Sequence, residues 1–348
     1  MSARAHIIPV FVPQLGCPHQ CVFCDQRRIS GQLRPVTADE VQSITDQAAA
    51  FLPAGGKRQL AFYGGSFTAI PAAQQEELLA AAKAAREQGK IDAIRLSTRP
   101  DAIDAAVLER LARCGVETVE LGAQSMDDAV LRLSGRGHSA ADVERAAKLV
   151  RAAGFRLVLQ MMTGLPGSSA EKDLDTARRL IALRPDGVRV YPTVIVRGTP
   201  LEALWRAGKY KEHTVEDAVS VCARVVPLFD AAGIPVLRLG LNPTEELSAG
   251  EAAGGAYHPA LGELVRSRIY RDRAHALLQG VAPGSRVTIT VGKGKTSQMT
   301  GQHRQNLVWL TERFSLAALS VREDPAENGD FLSLSIENTA GSEYNKSI

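Results

Sequence analysis

Three of the chain's five cysteines stand within one short stretch, Cys17-Pro-His-Gln-Cys21-Val-Phe23-Cys24, at a C-x3-C-x2-C spacing. Thiolates so spaced converge on one point when the backbone wraps around a metal or a cluster. Iron–sulfur clusters are held by cysteine thiolates, whereas zinc sites collect four ligands. Three local ligands suit a cubane [4Fe–4S] cluster that keeps one iron open for another group. Two other readings stand beside it: a zinc loop completed by His19 or a distant residue, and a pair of buried cysteines with a chance neighbour.

Such a loop needs elements to hold it. Ile7 to Val12 reads as a buried strand, with the cysteine loop leaving its C-terminal end. Further short apolar runs at Gln59–Tyr63, Ala93–Ser97, Thr118–Leu121, Phe155–Met161 and Gly187–Tyr191 read as strands, with a seventh at Pro235–Leu239. Between them lie helical stretches opened by Thr37-x-x-Glu40 and Ser168-x-x-Glu171, two capping boxes. Strands alternating with helices predict βαβ units and a parallel sheet, here a partial barrel of the (β/α)6 type over residues 1–240. Barrel chemistry sits at the C-terminal strand ends, where the unusual tetrapeptides of this chain also fall. Residues 241–283 read as a Gly/Pro-rich connection and a helix, and residues 284–348 as a small α/β appendage with a frayed last ten residues.

The chain is ordinary in composition: 45% apolar, 23% charged, 5% aromatic and a net charge of +3. That charge is too small to argue for nucleic acid by itself. No apolar run is long enough to span a bilayer, and the N-terminus lacks the layout of a secretory signal. Clustered cysteines do not read as a disulfide framework, so a reducing cytoplasm is expected. Cys114 and Cys222 read as core thiols. Lys293, Lys295 and Arg304, with Gln302 and His303, read as a solvated basic face or a modest nucleic-acid patch.

C-x3-C-x2-C with an aromatic, Phe23, before the last cysteine is similar to the signature of the radical S-adenosylmethionine superfamily. Tyr63-Gly64-Gly65-Ser66-Phe67-Thr68 resembles its glycine motif, in which glycines let backbone carbonyls approach the cofactor's amine. A denser resemblance is to the radical domain of the catalytic subunit of Elongator, a tRNA wobble-uridine modifier. It is carried by Ser97-Thr98-Arg99-Pro100-Asp101, Gln124-Ser125, Arg136-Gly137-His138, Met161-Met162-Thr163-Gly164-Leu165-Pro166-Gly167, Tyr191 to Leu201 and Trp205 to Tyr210. Elongator departs in a longer insertion between its first two cluster cysteines, in a lysine where this chain has Arg189, and in an acetyltransferase domain for which residues after 240 leave no room.

The resemblance implies a [4Fe–4S] cluster on Cys17, Cys21 and Cys24 and S-adenosylmethionine held by Phe23, Gly64, Gly65, Ser66, Ser97, Gln124, Arg136 and Gln160. Arg136 would pair with the methionine carboxylate, a match for guanidinium geometry. Tyr191 and His258 are the candidates for chemistry on substrate, each also readable as structural. The implied activity is reductive cleavage of S-adenosylmethionine to a 5′-deoxyadenosyl radical, with an external one-electron donor of flavodoxin or ferredoxin type. The implied substrate is a tRNA base; no DNA and no membrane are expected as partners. One alternative is a small molecule or tetrapyrrole, as in enzymes like oxygen-independent coproporphyrinogen oxidase. An alternative of another class is a non-catalytic iron–sulfur or zinc protein that binds RNA.

Overall fold

The computed structural model describes residues 6–12, 17, 20–25, 34–52, 56–241, 250–327, 329–337 and 343–347, the last segment by its backbone. They fall into two compact units, one within 1–218 and 225–259, the other within 219–224 and 260–348. His19, and with it the zinc alternative's nearby fourth ligand, lies outside the described residues.

The first unit is built on seven parallel strands: β1 His6–Val12, β2 Arg58–Gly64, β3 Ala93–Thr98, β4 Val116–Gln124, β5 Arg156–Thr163, β6 Gly187–Pro192 and, after a short β7 at Val194–Val196, β8 Val236–Leu239. Their order in the sheet is β1-β2-β3-β4-β5-β6-β8, so each strand pairs with its predecessor in sequence. This is a partial (β/α) barrel, as expected, with the seventh strand included. One face of each strand packs on the surrounding helices through residues such as Leu60, Leu96, Val119, Leu159 and Val190, all fully buried. Burying each such side chain is worth about 1.5–3 kcal/mol. The other face looks into the curl of the sheet, and there charged and polar residues such as Glu120, Gln160 and Arg189 stand among apolar ones such as Ile7, Phe11 and Met162.

Local signals set the helix starts. Thr37 accepts from the Glu40 amide and Glu40 Oε2 accepts from the Thr37 amide at 2.9 Å, the predicted box at the head of the helix Ala38–Phe51. The second expected box does not form, and the cap moves by one residue. Ser169, not Ser168, caps the helix Ala170–Ala182 by accepting from the Lys172 amide, while Ser168 Oγ donates to Asp173 Oδ1 at 2.5 Å. Asp173 is buried, so Ser168 satisfies a carboxylate that the solvent does not reach.

A two-stranded ribbon was not legible in the sequence: β7 pairs antiparallel with β9, Ala252–Gly255. The first strand has only three residues, Val-Ile-Val, and the second is Ala-Ala-Gly-Gly, without the alternation that marks a strand. Gly255 has φ +83°, and a Cβ there would meet the Thr193 carbonyl oxygen at 2.8 Å, so the pairing depends on glycine.

In the second unit the helix Leu261–Leu277 is followed by β10 Arg286–Gly292, β11 Ala318–Asp324, β12 Leu332–Glu337 and β13 Glu343–Ser347, ordered β11-β10-β12-β13. Tyr270, Leu278, Ile289, Met299 and Leu310 form its core. The last ten residues, expected to fray, contain β13, which pairs antiparallel with β12; ladder hydrogen bonds tie it down where composition alone suggested a tail. In the basic stretch expected to form a solvated face or a nucleic-acid patch, a short helix covers Thr296–Thr300, and Lys295 Nζ pairs with Asp330 at 2.9 Å.

Candidate active site

Two sets of residues meet at the C-terminal ends of the barrel strands. The first surrounds the cysteine loop. Val22 N–H donates to the Ser134 carbonyl at 3.0 Å, Leu201 N–H donates to the Val22 carbonyl at 2.8 Å, and a Cβ on Gly135 would meet the Gln20 carbonyl at 3.0 Å. The loop is thus pinned between the segment after β4 and the helix Pro200–Arg206. Cys21 is buried; Cys17 and Cys24 are half-buried. Cys17 Sγ lies 3.4 Å from Ser66 Oγ, Cys21 Sγ accepts from Arg136 Nη1 at 3.4 Å, and Cys24 lines the barrel cavity. Phe23 packs between two apolar clusters, one of Val130, Met162 and Leu165 and one of Ile195, Leu201 and Tyr210.

Gly64 and Gly65 close against the strand that feeds this loop. Gly65 N–H donates to the Val12 carbonyl at 2.8 Å, and Gly64, at φ +98°, would place a Cβ 2.5 Å from the same oxygen. Only glycine fits so near a neighbouring carbonyl.

Arg136, Gln124 and Gln160 converge around Gly122. Arg136 Nη2 donates to the Gly122 carbonyl at 2.8 Å, Gln160 Nε2 donates to Gln124 Oε1 at 3.1 Å, and a Cβ on Gly122 would meet both Arg136 and Gln124. Gln124 is a non-glycine residue at φ +64°, at a register shift between β4 and β5. Such a conformation costs about 1–3 kcal/mol and clusters at functional sites. Arg136 is buried, and its Nε has no partner among the described residues. Behind it, Arg99 forms a fork to Asp101 at 2.9 and 3.0 Å and donates to the Arg136 carbonyl at 2.7 Å. Arg99 thereby fixes the backbone that aims Arg136, a role that sequence reasoning did not assign.

The second set lines a cavity of about 460 Å³ within the barrel, which reaches Cys24, Phe23, Gly64, Ser97 and Gln160. Ser97 is held loosely, 3.5 Å from the Phe62 carbonyl. Across the cavity lies a charged network that sequence reasoning missed. Glu120 Oε2 stands 3.3 Å from Arg95 Nη2 and 3.0 Å from Arg189 Nε, and Arg189 donates to Tyr191 Oη at 3.0 Å and to Tyr63 Oη at 2.6 Å. Burial pulls the Arg189 guanidinium down while Glu120 and the two phenol oxygens raise it, and the balance is upward. Burial, then Glu120, pushes the Tyr63 phenol up to about 12, and burial raises Tyr191 as well. The signal for this network was present: Arg95, Glu120, Gln160, Arg189 and Arg238 each stand between two apolar neighbours in a strand, and the pairings Gln160 with Arg189 and Arg189 with Arg238 bring three of them side by side. Tyr191 belongs to this wall; His258, half-buried after β9, is not among the residues lining the cavity.

The Radical SAM superfamily model matches residues 11–180, and the Radical_SAM C-terminal domain model matches residues 185–271. The chain belongs to the radical SAM superfamily. Among curated relatives, a tRNA uridine(34) acetyltransferase of Dehalococcoides mccartyi is 30% identical over 250 residues, covering 59% of this chain and 52% of that one. Elongator complex protein 3 of Homo sapiens is 31% identical over 187 residues, covering 53% of this chain and 33% of that one. The chain therefore spans about half or less of the length of these relatives. Among solved structures, archaeal Elp3 of Methanocaldococcus infernus with an N-terminal deletion superposes at TM-score 0.61 and 20% identity, covering 98% of this chain and 76% of that one, a likeness of fold.

Enzymes of this superfamily use a [4Fe–4S] cluster and S-adenosylmethionine. The residues present suit both groups. Three thiols flank the strand ends, Arg136 donates a charge-assisted hydrogen bond to Cys21 Sγ, and its buried, unpartnered Nε calls for an acceptor such as a carboxylate. Among the described residues no three His, Cys, Asp or Glu side chains stand gathered for a single metal ion, and no helix is long and apolar enough to cross a membrane.

Proposed function

We propose that Cys17, Cys21 and Cys24 hold a [4Fe–4S] cluster and that Phe23, Gly64, Gly65, Ser66, Ser97, Gln124, Arg136 and Gln160 hold S-adenosylmethionine, for radical chemistry on a tRNA base. When bound, the two groups supply a 5′-deoxyadenosyl radical after one-electron reduction by an external donor. The chain's own residues do the rest. Arg136 offers Nε to a carboxylate while Arg99 keeps it in place; Gln160, held by Gln124, presents its amide to the cavity; Phe23, Met162 and Val194 exclude water on one side. Such positioning and shielding are the protein's share in cofactor chemistry.

The observation that carries the reading is one continuous cavity with Cys24 at one boundary and the Glu120–Arg189–Tyr63–Tyr191 network at another. A thiol that binds a cluster and a polar wall that orients a substrate then face the same space. The tRNA substrate is supported by a relative, a tRNA uridine(34) acetyltransferase, that is similar over 59% of this chain. A reducing, cytoplasmic setting and a flavodoxin- or ferredoxin-type donor follow from the same reading.

The test is anaerobic reconstitution with iron and sulfide, then dithionite and S-adenosylmethionine. The wild-type chain is expected to release 5′-deoxyadenosine and Cys24→Ala to release none; equal release from both sinks the cluster assignment. Mass spectrometry of nucleosides from tRNA incubated with the reduced enzyme then reads the substrate: a change in one uridine derivative supports the tRNA reading, and unchanged nucleosides overturn it.

A further inference from the structure

Tyr63 and Tyr191 face the cavity from β2 and β6, and each phenol oxygen accepts one N–H of the same guanidinium, that of Arg189. An oxygen that already accepts from Arg189 keeps its own proton to give away. Neither hydroxyl donates to any acceptor among the described residues. Charge points the same way. Glu120 is the carboxylate of this wall, against the guanidinium groups of Arg95, Arg189 and Arg238, so the cavity floor carries more positive than negative charge. In a space of low dielectric such a surplus favours an incoming anion. Arg238 gives its Nε–H to the Gly240 carbonyl and an Nη2 N–H to the Leu241 carbonyl, so these two donors do not compete with the phenols for an incoming anion.

The geometry points to an oxyanion subsite: the hydroxyls of Tyr63 and Tyr191, held and polarised by Arg189, donate together to an anionic oxygen of the substrate, a carboxylate or a phosphate. This rests on reading the cavity as the substrate chamber. Burial raises both phenols, Tyr63 to about 12, so both stay protonated donors at neutral pH. Glu120 opposes full capture of the guanidinium by the anion, because its carboxylate already stands 3.0 Å from Nε as a counter-charge. The arrangement therefore orients an anionic group rather than sequestering it, and it works before any cofactor is bound.

The test uses the full chain with 3-fluorotyrosine in place of its tyrosines and reads them by fluorine NMR. Tyr63→Phe and Tyr191→Phe assign the two resonances. Sodium acetate probes a carboxylate and sodium methyl phosphate a phosphate ester, each against sodium chloride at matched ionic strength. Saturable movement of the Tyr63 and Tyr191 signals with acetate or methyl phosphate, beyond that with chloride, is expected, and the probe that saturates first identifies the source of the oxyanion. In Tyr63→Phe the affinity read at Tyr191 should fall about tenfold, the worth of one hydrogen bond to a charged group. No movement beyond chloride, or undiminished affinity in Tyr63→Phe, overturns the subsite. Because this readout needs no cluster, it fails separately from the enzyme reading: 5′-deoxyadenosine with unmoved fluorine signals removes only the subsite, and moved signals without 5′-deoxyadenosine remove only the radical chemistry.

Discussion

Arg136 Nη1 donates to Cys21 Sγ at 3.4 Å across 115 residues of sequence. The contact joins the loop after β1 to the segment after β4, so the thiol loop and the arginine that faces it are set by one barrel. The guanidinium thus gives one N–H to the sulfur, and the same side chain keeps an unpartnered Nε for a second acceptor.

Replacing Arg136 by methionine should therefore weaken S-adenosylmethionine binding. Hydrogen bonds to charged groups contribute about 1.5–3 kcal/mol, or roughly 10- to 150-fold in affinity. Equilibrium binding to the reconstituted protein, with iron content measured alongside, checks this. Unchanged affinity at full iron content would show that Arg136 serves the loop alone.

Gly64→Ala should destabilise the first unit, because its φ of +98° and a Val12 carbonyl oxygen 2.5 Å from where a Cβ would sit leave no room for a methyl group. A residue forced into this region costs about 1–3 kcal/mol before any clash is counted. Urea denaturation of the variant against Gly89→Ala, where a Cβ meets nothing within 4 Å, separates the clash from the dihedral cost common to both.

Glu120 lies between Arg95 and Arg189, with the three side chains 3%, 9% and 13% exposed. Glu120→Ala strands two buried cations and should cost about 3–5 kcal/mol. The exposed pair Arg113–Glu109, at 61% and 72%, sets the contrast: Glu109→Ala should cost under about 1 kcal/mol. Comparable losses in the two variants would mean that water reaches Glu120.

Two buried groups oppose each other in acid. Burial, helped by Arg136, lowers His138 from 6.5 to about 4, so its contribution is complete above pH 6.5 and is lost as pH falls towards 4. Burial raises Asp173 from 3.8 to about 6, so its contribution is complete below pH 3.8 and is lost as pH rises through 6. Each is worth about 3 kcal/mol over its window. Between pH 6.5 and 4 they compensate. His138→Gln should flatten or reverse the acid loss of stability, and Asp173→Asn should steepen it, in denaturation midpoints measured across that range. Parallel profiles for both variants and the wild type would rule the linkage out.

The parallel barrel and the spacing of the cysteine triad were legible because their signals are local. Apolar runs such as Leu157–Leu159 and the Thr37–Glu40 box are settled by neighbours in sequence, and a C-x3-C-x2-C spacing is chemistry written in one loop. What sequence left open needed distant strands in register. Glu120, Arg95 and Arg189 look alike in isolation, as charges interrupting apolar strands, and become one network only when β3, β4 and β6 curl together. The capping serine moved from 168 to 169 because a buried carboxylate, Asp173, claimed the first hydroxyl. The glycine-rich residues of β9 and the polar end of the chain became strands only through partners elsewhere, since backbone pairing reads register and not composition. The sequence alone thus determined which cofactor chemistry the loop is built for. Only the tertiary structure decided what faces it, because the wall of a barrel is assembled from single residues contributed by strands far apart in the chain.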